Sequence, residues 1–270
     1  MPAFIQISDT HIVEKGRLVC GASDTNAALR NAVASINWRR PSLGKIDCAI
    51  VTGDLTDNGT AEEYAHFSEI MAELNLPWIA IPGNHDNREE MRTAFGSQDW
   101  MPDAGPIQWL RDFGPFAVLG LDTLLAEAHH GELSESGFTF IDTMLTDLAG
   151  KPLIVATHHP WLHCGIPEMD ADNLRNGAIM MELLEQYPGD VRMMSGHVHR
   201  AVTGKVGNIL CQIAPSTGHS VHRDQRENAK HALTLEAGAV TLYMWQEGSQ
   251  SGLISDILPL TTFAEPVPFQ

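Results

Sequence analysis

Short apolar runs that each stop at an acidic, amide or imidazole side chain constrain this chain more than any other feature. Asp47 to Thr52 (DCAIVT) leads into Gly53-Asp54-Leu55-Thr56-Asp57-Asn58-Gly59, and Pro77 to Ile81 (PWIAI) leads into Pro82-Gly83-Asn84-His85-Asp86. Between them Thr60 to Leu74 carries Tyr64, Phe67, Ile70, Met71 and Leu74 near helical spacing, with Thr60 and Glu63 placed as a capping box. Strand, loop, helix, strand, loop is a parallel unit, in which both loops leave the carboxyl ends of their strands. Asp54 and Asn84 therefore share one edge of a sheet.

The same punctuation recurs along the chain. Ala3 to Ser8 (AFIQIS) runs into Asp9-Thr10-His11, and Val191 to Met194 precedes Gly196-His197-Val198-His199. Leu153 to Thr157 (LIVAT), apolar enough for a strand buried on both faces, delivers His158-His159-Pro160. The spacing predicts helices over Thr25 to Trp38, Asn87 to Phe95, Ser136 to Leu148 and Asn173 to Tyr187, the last with Ile179, Leu183 and Leu184 inward. Pro115 to Leu121 reads as a strand ending at Asp122, whose position suits a turn cap, and Gln98 to Pro106 reads as loop. Past His199 the helical period disappears. Ala201 to Val206, Ile209 to Ile213, Ala232 to Glu236 and Val240 to Trp245 predict antiparallel strands that complete the edge of a second sheet. Pro215 to Lys230, with His219, His222, Arg223 and Arg226, predicts a loop over the strand ends, and the residues from Pro259 onward read as irregular.

No Pro/Ser/Gly-rich linker, charge block or internal repeat divides the 270 residues, so a single domain over 1–270 is expected. A formal charge of −17 argues against a nucleic-acid partner or a membrane surface. Any bound phosphate would then need positive charge from elsewhere, and metal ions are the natural source. Cys20, Cys48, Cys164 and Cys211 are far apart with no C-x-x-C pair, which suits a reducing compartment, although disulfides stay compatible with the sequence. Asp9 and His11 fall where cleavage of a secretory leader would remove them, and no apolar run approaches the roughly 20 residues needed to span a bilayer. A cytoplasmic protein is the expectation. Leu242, Met244 and Trp245, in the strands over 200–258, suit either a homo-oligomer interface or the core.

The strand ends collect Asp9, His11, Asp54, Asn84, His158, His197 and His199. Carboxylate, amide oxygen and imidazole without thiolate suit first-row divalent ions such as Mn, Fe, Co or Zn. Seven donors are too many for one ion with an open position, and fit two ions about 3.5–4 Å apart that share one carboxylate. Asp54, central in the set, is the natural bridge. Such a pair would lower the pKa of water and promote in-line attack of metal-bound hydroxide on phosphorus while neutralising phosphoryl oxygens. With Asn84 turned to metal, His85 is left to contact a phosphoryl oxygen or protonate the departing alkoxide, and Asp86 to orient its ring. His219 is a further candidate for substrate contact.

Asp9-x-His11, Gly53-Asp54, Gly83-Asn84-His85-Asp86, His158-His159-Pro160 and Gly196-His197-x-His199 resemble, in order, the five motifs of the calcineurin-like metallophosphoesterases. The resemblance implies an α/β fold, a four-layer α/β/β/α sandwich of two mixed sheets flanked by helices. It also implies one metal held by Asp9, His11, Asp54 and His199, another held by Asp54, Asn84, His158 and His197, and a positioning or substrate-binding role for His159. The short first motif, the G-D-L-T-D-x-G form of the second and the stretch from Met169-Asp170 to Leu174-Arg175-Asn176-Gly177 resemble one branch of the family, bacterial class III cyclic-nucleotide phosphodiesterases and their glycerophosphodiesterase relatives. The expected substrate is thus a small phosphodiester. Arg88 and Arg200 are the arginines beside the motifs and are expected to face solvent, which favours a monoanionic diester over a dianionic monoester. A phosphomonoesterase, a noncatalytic scaffold and a nuclease are the competing readings.

Overall fold

The computed structural model describes residues 1–226, 229–248, 252–260 and 267–269. The central unit forms as its pattern requires. β1 (Ala3–Ile7), β2 (Cys48–Thr52) and β3 (Trp78–Ile81) run parallel, crossed by α1 (Thr25–Leu43) and α2 (Ala61–Met71). Thr60 caps α2 through a complete capping box with Glu63, which satisfies orphan amides at the helix start. α3 (Arg88–Phe95) follows, with the Asn87 side chain accepting from Glu89 N and Glu90 N.

The second sheet is laid down from β4 (Trp109–Asp112), β5 (Ala117–Gly120), β6 (Leu153–Ala156), β7 (Val191–Ser195), β8 (Val202–Val206) and β9 (Ile209–Ile213), in the order β4-β5-β6-β7-β9-β8. α4 (Glu135–Leu148), α5 (Pro167–Ala171) and α6 (Gly177–Gln186) lie in its crossovers. Alternate residues explain why its inner strands read as unbroken apolar runs. Ile154 and Ala156 of β6 join the core shared with the first sheet, while Leu153 and Val155 pack with α4 and α6 on the far side. The layers are therefore helix, sheet, sheet, helix.

The carboxyl-terminal strands divide between the sheets, contrary to the expectation that they all complete the second. β8 and β9 do join it, but β9 runs parallel to β7. β12 (Ala239–Gln246) instead pairs antiparallel with β1, and β13 (Gly252–Pro259) pairs with β12 at the edge of the first sheet. Tyr243 stacks on Phe4 with ring centroids 4.8 Å apart, burying an aromatic pair that selects this sheet. Leu242 is buried in the same core, against which Met244 and Trp245 pack. β10 (Ser220–Val221) and β11 (Leu233–Thr234) form a small hairpin out of the expected loop, whose residues 227–228 lie outside those described. The expected irregular tail from Pro259 also falls mostly outside them, and Pro259 itself ends β13.

Two further expectations need correction. The predicted helix over Asn173 to Tyr187 begins only at Gly177, which puts Met180, Met181 and Leu184 on the buried face and leaves Ile179 exposed. α5 lies ahead of it, started by Pro167. Among the described residues no helix is long and apolar enough to cross a membrane.

Candidate metal centre

Asp9 leaves β1, Asp54 leaves β2, Asn84 follows β3, His158 follows β6, and His197 and His199 follow β7. The carboxyl ends of both parallel runs thus meet at one place, held by bonds between sheets. Gln6 Nε2 donates to Thr52 Oγ1 at 2.9 Å and to Ser195 O at 3.1 Å, and His197 N donates to Asp9 Oδ1 at 2.8 Å. Five of the eight non-glycine residues with positive φ among those described are Asp9, His11, Asp54, His197 and His199. A left-handed residue just past a strand breaks its alternation, so that Asp9 with His11, and His197 with His199, turn toward the same point. Such conformations cost energy and persist where surrounding structure fixes them.

Donor atoms of Asp9, His11, Asp54 and His199 all lie within 4.8 Å of one another, and every one of these residues is buried. His11 Nε2 stands 3.0 Å from His199 Nε2 and 3.4 Å from Asp54 Oδ2. The same Asp54 oxygen lies 3.3 Å from His158 Nε2, which is 3.1 Å from Asn84 Oδ1. One carboxylate oxygen therefore faces both halves of the set.

The chemistry of these donors fits divalent ions. His11, His158 and His199 donate their Nδ1 protons outward, to Asp57 Oδ1, Thr52 O and His219 O, which leaves each Nε2 lone pair directed inward. Asp9 Oδ2 and His197 Nε2 are buried with no hydrogen-bond partner among the described residues. Burial, reinforced by neighbouring histidines, holds His197 and His199 well below the usual imidazole range, in the neutral form that ligation needs. Burial also works against charge on Asp54 and His158, yet each stabilises the other's charged form. Asp54 is held well below the usual carboxylate range and His158 is raised to about 9. Gly53 is required by this crowding. A Cβ there would lie 2.3 Å from His158 Nδ1, and the backbone has φ +90°.

The other predicted site residues are placed less uniformly. His85 is half-buried at the cavity, and its Nδ1 donates to Asp57 O at 2.7 Å. Asp86 does not orient it. The Asp86 carboxylate instead accepts from Gly83 N, Leu55 N, Thr56 N, Thr56 Oγ1 and Tyr64 Oη, tying together the loops after β2 and β3. His159 is fully buried, with Nε2 donating to His129 O at 3.0 Å and Nδ1 accepting from Thr123 Oγ1 at 2.8 Å, so both ring nitrogens are engaged away from the metal set. His219 lies beside His199, with ring centroids 4.8 Å apart, and lines the cavity. Asp57, which holds both His11 and His85, is the residue that sequence reasoning missed. Its signal was its place three residues after Asp54 in the quoted motif.

The arginines near the site are committed elsewhere rather than free in solvent. Arg88 makes a bidentate pair with buried Asp122 at 2.6 and 2.7 Å, and Arg200 pairs with both oxygens of Glu236 at 2.9 Å. The Asp122 carboxylate also accepts from Ile107 N and Leu124 N, a structural role.

The calcineurin-like phosphoesterase family matches residues 2–201. A probable glycerophosphodiester phosphodiesterase GpdQ of Arcobacter nitrofigilis is 35% identical over 266 residues, covering 98% of this chain and 96% of that protein. The 3',5'-cyclic adenosine monophosphate phosphodiesterase CpdA of Pseudomonas aeruginosa is 28% identical over 214 residues, covering 79% and 75%. Among solved structures, a dimetal phosphatase from Danio rerio superposes with a TM-score of 0.62 at 15% identity, covering 96% of this chain and 99% of that one.

Proposed function

Because the chain belongs to the calcineurin-like phosphoesterase family, we propose that it is a hydrolase of small phosphodiesters dependent on two divalent metal ions. The observation that carries this reading is the single Asp54 oxygen 3.4 Å from His11 Nε2 and 3.3 Å from His158 Nε2. Asp9, His11, Asp54 and His199 would hold one ion, and Asp54, Asn84, His158 and His197 the other. Divalent ions bound there, among them Mn, Fe, Co or Zn, lower the pKa of water and neutralise charge on phosphoryl oxygens. His85, steered by Asp57, faces the cavity with its Nε2 available to a phosphoryl oxygen or a departing alkoxide. His219 forms part of the wall, and His159 acts through its hold on the His129 backbone. The four free thiols suit a reducing compartment such as the cytoplasm.

A diester is favoured over a monoester because no lysine or arginine lines the cavity. A dianionic phosphate benefits from cationic clamps beyond the metals. The relatives named for glycerophosphodiesters and for a cyclic nucleotide supply the candidate substrates. The test compares chelator-stripped and metal-reloaded protein on bis(p-nitrophenyl) phosphate, p-nitrophenyl phosphate, a glycerophosphodiester, cyclic AMP and single-stranded DNA. Metal-restored turnover with higher kcat/KM on the diesters is expected. Preference for the monoester would make the protein a phosphatase, preference for DNA a nuclease, and inertness with both metals bound a scaffold.

A further inference from the structure

We infer that the cavity selects phosphodiesters whose departing alcohol carries an ammonium group, and that Asp172 reads that charge; this rests on the phosphodiesterase reading above. The cavity has a volume of about 500 Å³ and opens onto the metal set. His197 Nε2, buried and unpartnered, faces the same space, which marks it as a place built for a ligand rather than a passive surface cleft.

Away from the metal set its wall is apolar, with Val19, Met169, Val221 and Leu233. The lining contains no lysine or arginine. Of its carboxylates, Asp54 is engaged with His11 and His158, and Asp57 with His11. Asp172, at the carboxyl end of α5 beside Met169, has no hydrogen-bond or ion-pair partner for its side chain among the described residues. Neighbouring cations are already taken: Arg200 by Glu236, Arg223 by Cys164 O and Arg226 by Asp224.

A carboxylate set among methyl and thioether groups suits a bulky, weakly hydrated cation. The ammonium gains an opposite charge while its alkyl groups cover apolar wall. An alcohol bearing a second anionic group would meet Asp172 and Asp57 with no fixed cation to offset them. His129 and His231 also line the cavity and offer ring nitrogens for hydrogen bonding. One charge pair at a partly solvated wall corresponds to roughly three- to tenfold in kcat/KM.

The test uses glycerophosphocholine and glycerophosphoglycerol, which share one alcohol and differ in charge on the other. The ratio of their kcat/KM values cancels any general loss of activity. The metal-loaded wild type should favour the choline ester by roughly three- to tenfold. Asp172→Asn should bring the ratio near unity, and Asp172→Lys should invert it. Saturation-transfer NMR of tetramethylammonium with the metal-free protein should show binding that Asp172→Asn removes. If diesters are cleaved but the ratio is unmoved by Asp172→Asn, the inference is overturned and the function stands. If no diester is cleaved with metals bound, the function reading fails, and the tetramethylammonium measurement still decides whether Asp172 holds an ammonium.

Discussion

Asp86→Asn separates a structural carboxylate from a catalytic one. Oδ2 accepts from Gly83 N at 2.9 Å and Leu55 N at 3.1 Å, while Oδ1 accepts from Thr56 N at 3.3 Å, Thr56 Oγ1 at 3.4 Å and Tyr64 Oη at 3.0 Å. An amide nitrogen in the Oδ2 position would face two backbone N–H groups. In the Oδ1 position it would face one, since the two hydroxyls can rotate. The second orientation is cheaper, and still leaves the Thr56 amide unpaired and removes the charge from the remaining bonds. At about 1–3 kcal/mol for a buried unpaired donor, the variant should lose about 2–4 kcal/mol. For a chain of this length that is a fall in Tm of about 4–7 °C. Burial, aided by Asp54, pushes the Asp86 carboxyl up to about 6, so the comparison belongs at pH 8, where the wild-type group is ionised. The gap should narrow as pH falls through about 6, because a protonated acid and an amide both present a donor. His85 N donates to Asp54 Oδ1 at 2.9 Å, so loosening this loop should also weaken ion binding. Thermal unfolding of the metal-free protein, with metal analysis alongside, checks both effects. An unchanged Tm and metal content with lost turnover would refute the reasoning and return Asp86 to a catalytic role.

His85→Ala should lower kcat by roughly 10²–10⁴-fold while both ions stay bound, which kinetics and metal analysis together decide. Gly53→Ala should destabilise by about 2–4 kcal/mol, because its Cβ would meet His158 Nδ1 at 2.3 Å on a backbone at φ +90°; a urea midpoint like that of the wild type would contradict this. Burial, with His11 adding, lowers His219 to about 4, so the folded state resists the proton that the unfolded chain takes up below about 6.5. Stability held by the neutral ring is then lost as pH falls from 6.5 toward 4, by about 2 kcal/mol between pH 7.5 and 5, and His219→Gln should flatten that part of the urea-stability profile of the metal-free protein.

What could be read along the chain was whatever depends on neighbours in sequence. β2 and β6 announced themselves because both of their faces are buried, and α2 because Thr60 and Glu63 cap each other three residues apart. β4 (WLRD) and β13 (GLISDILP) stayed hidden, since their mixed polarity carries neither a clean alternation nor an unbroken apolar run. The sheet that takes β12 is chosen by Tyr243 meeting Phe4, a contact no local pattern encodes. The same limit explains the two errors around His85. Adjacency suggested Asp86 as its partner, whereas the turn sends that carboxylate back to Leu55, Thr56 and Gly83 and brings in Asp57 from the preceding loop.

The left-handed backbone at Asp9, His11, Asp54, His197 and His199 joins these observations to function. Histidine and aspartate gain nothing locally from that conformation, and a sequence chosen for folding alone would place glycine or asparagine there. The strain is sustained by bonds that cross between the sheets, such as His197 N to Asp9 Oδ1 and His158 Nδ1 to Thr52 O, and these form only once both sheets have packed. The donors are thus fixed in place by the fold itself, before any ion arrives. Binding then loses little to reorganisation, because the energetic cost of gathering buried carboxylates and imidazoles has been met by the packed core around them.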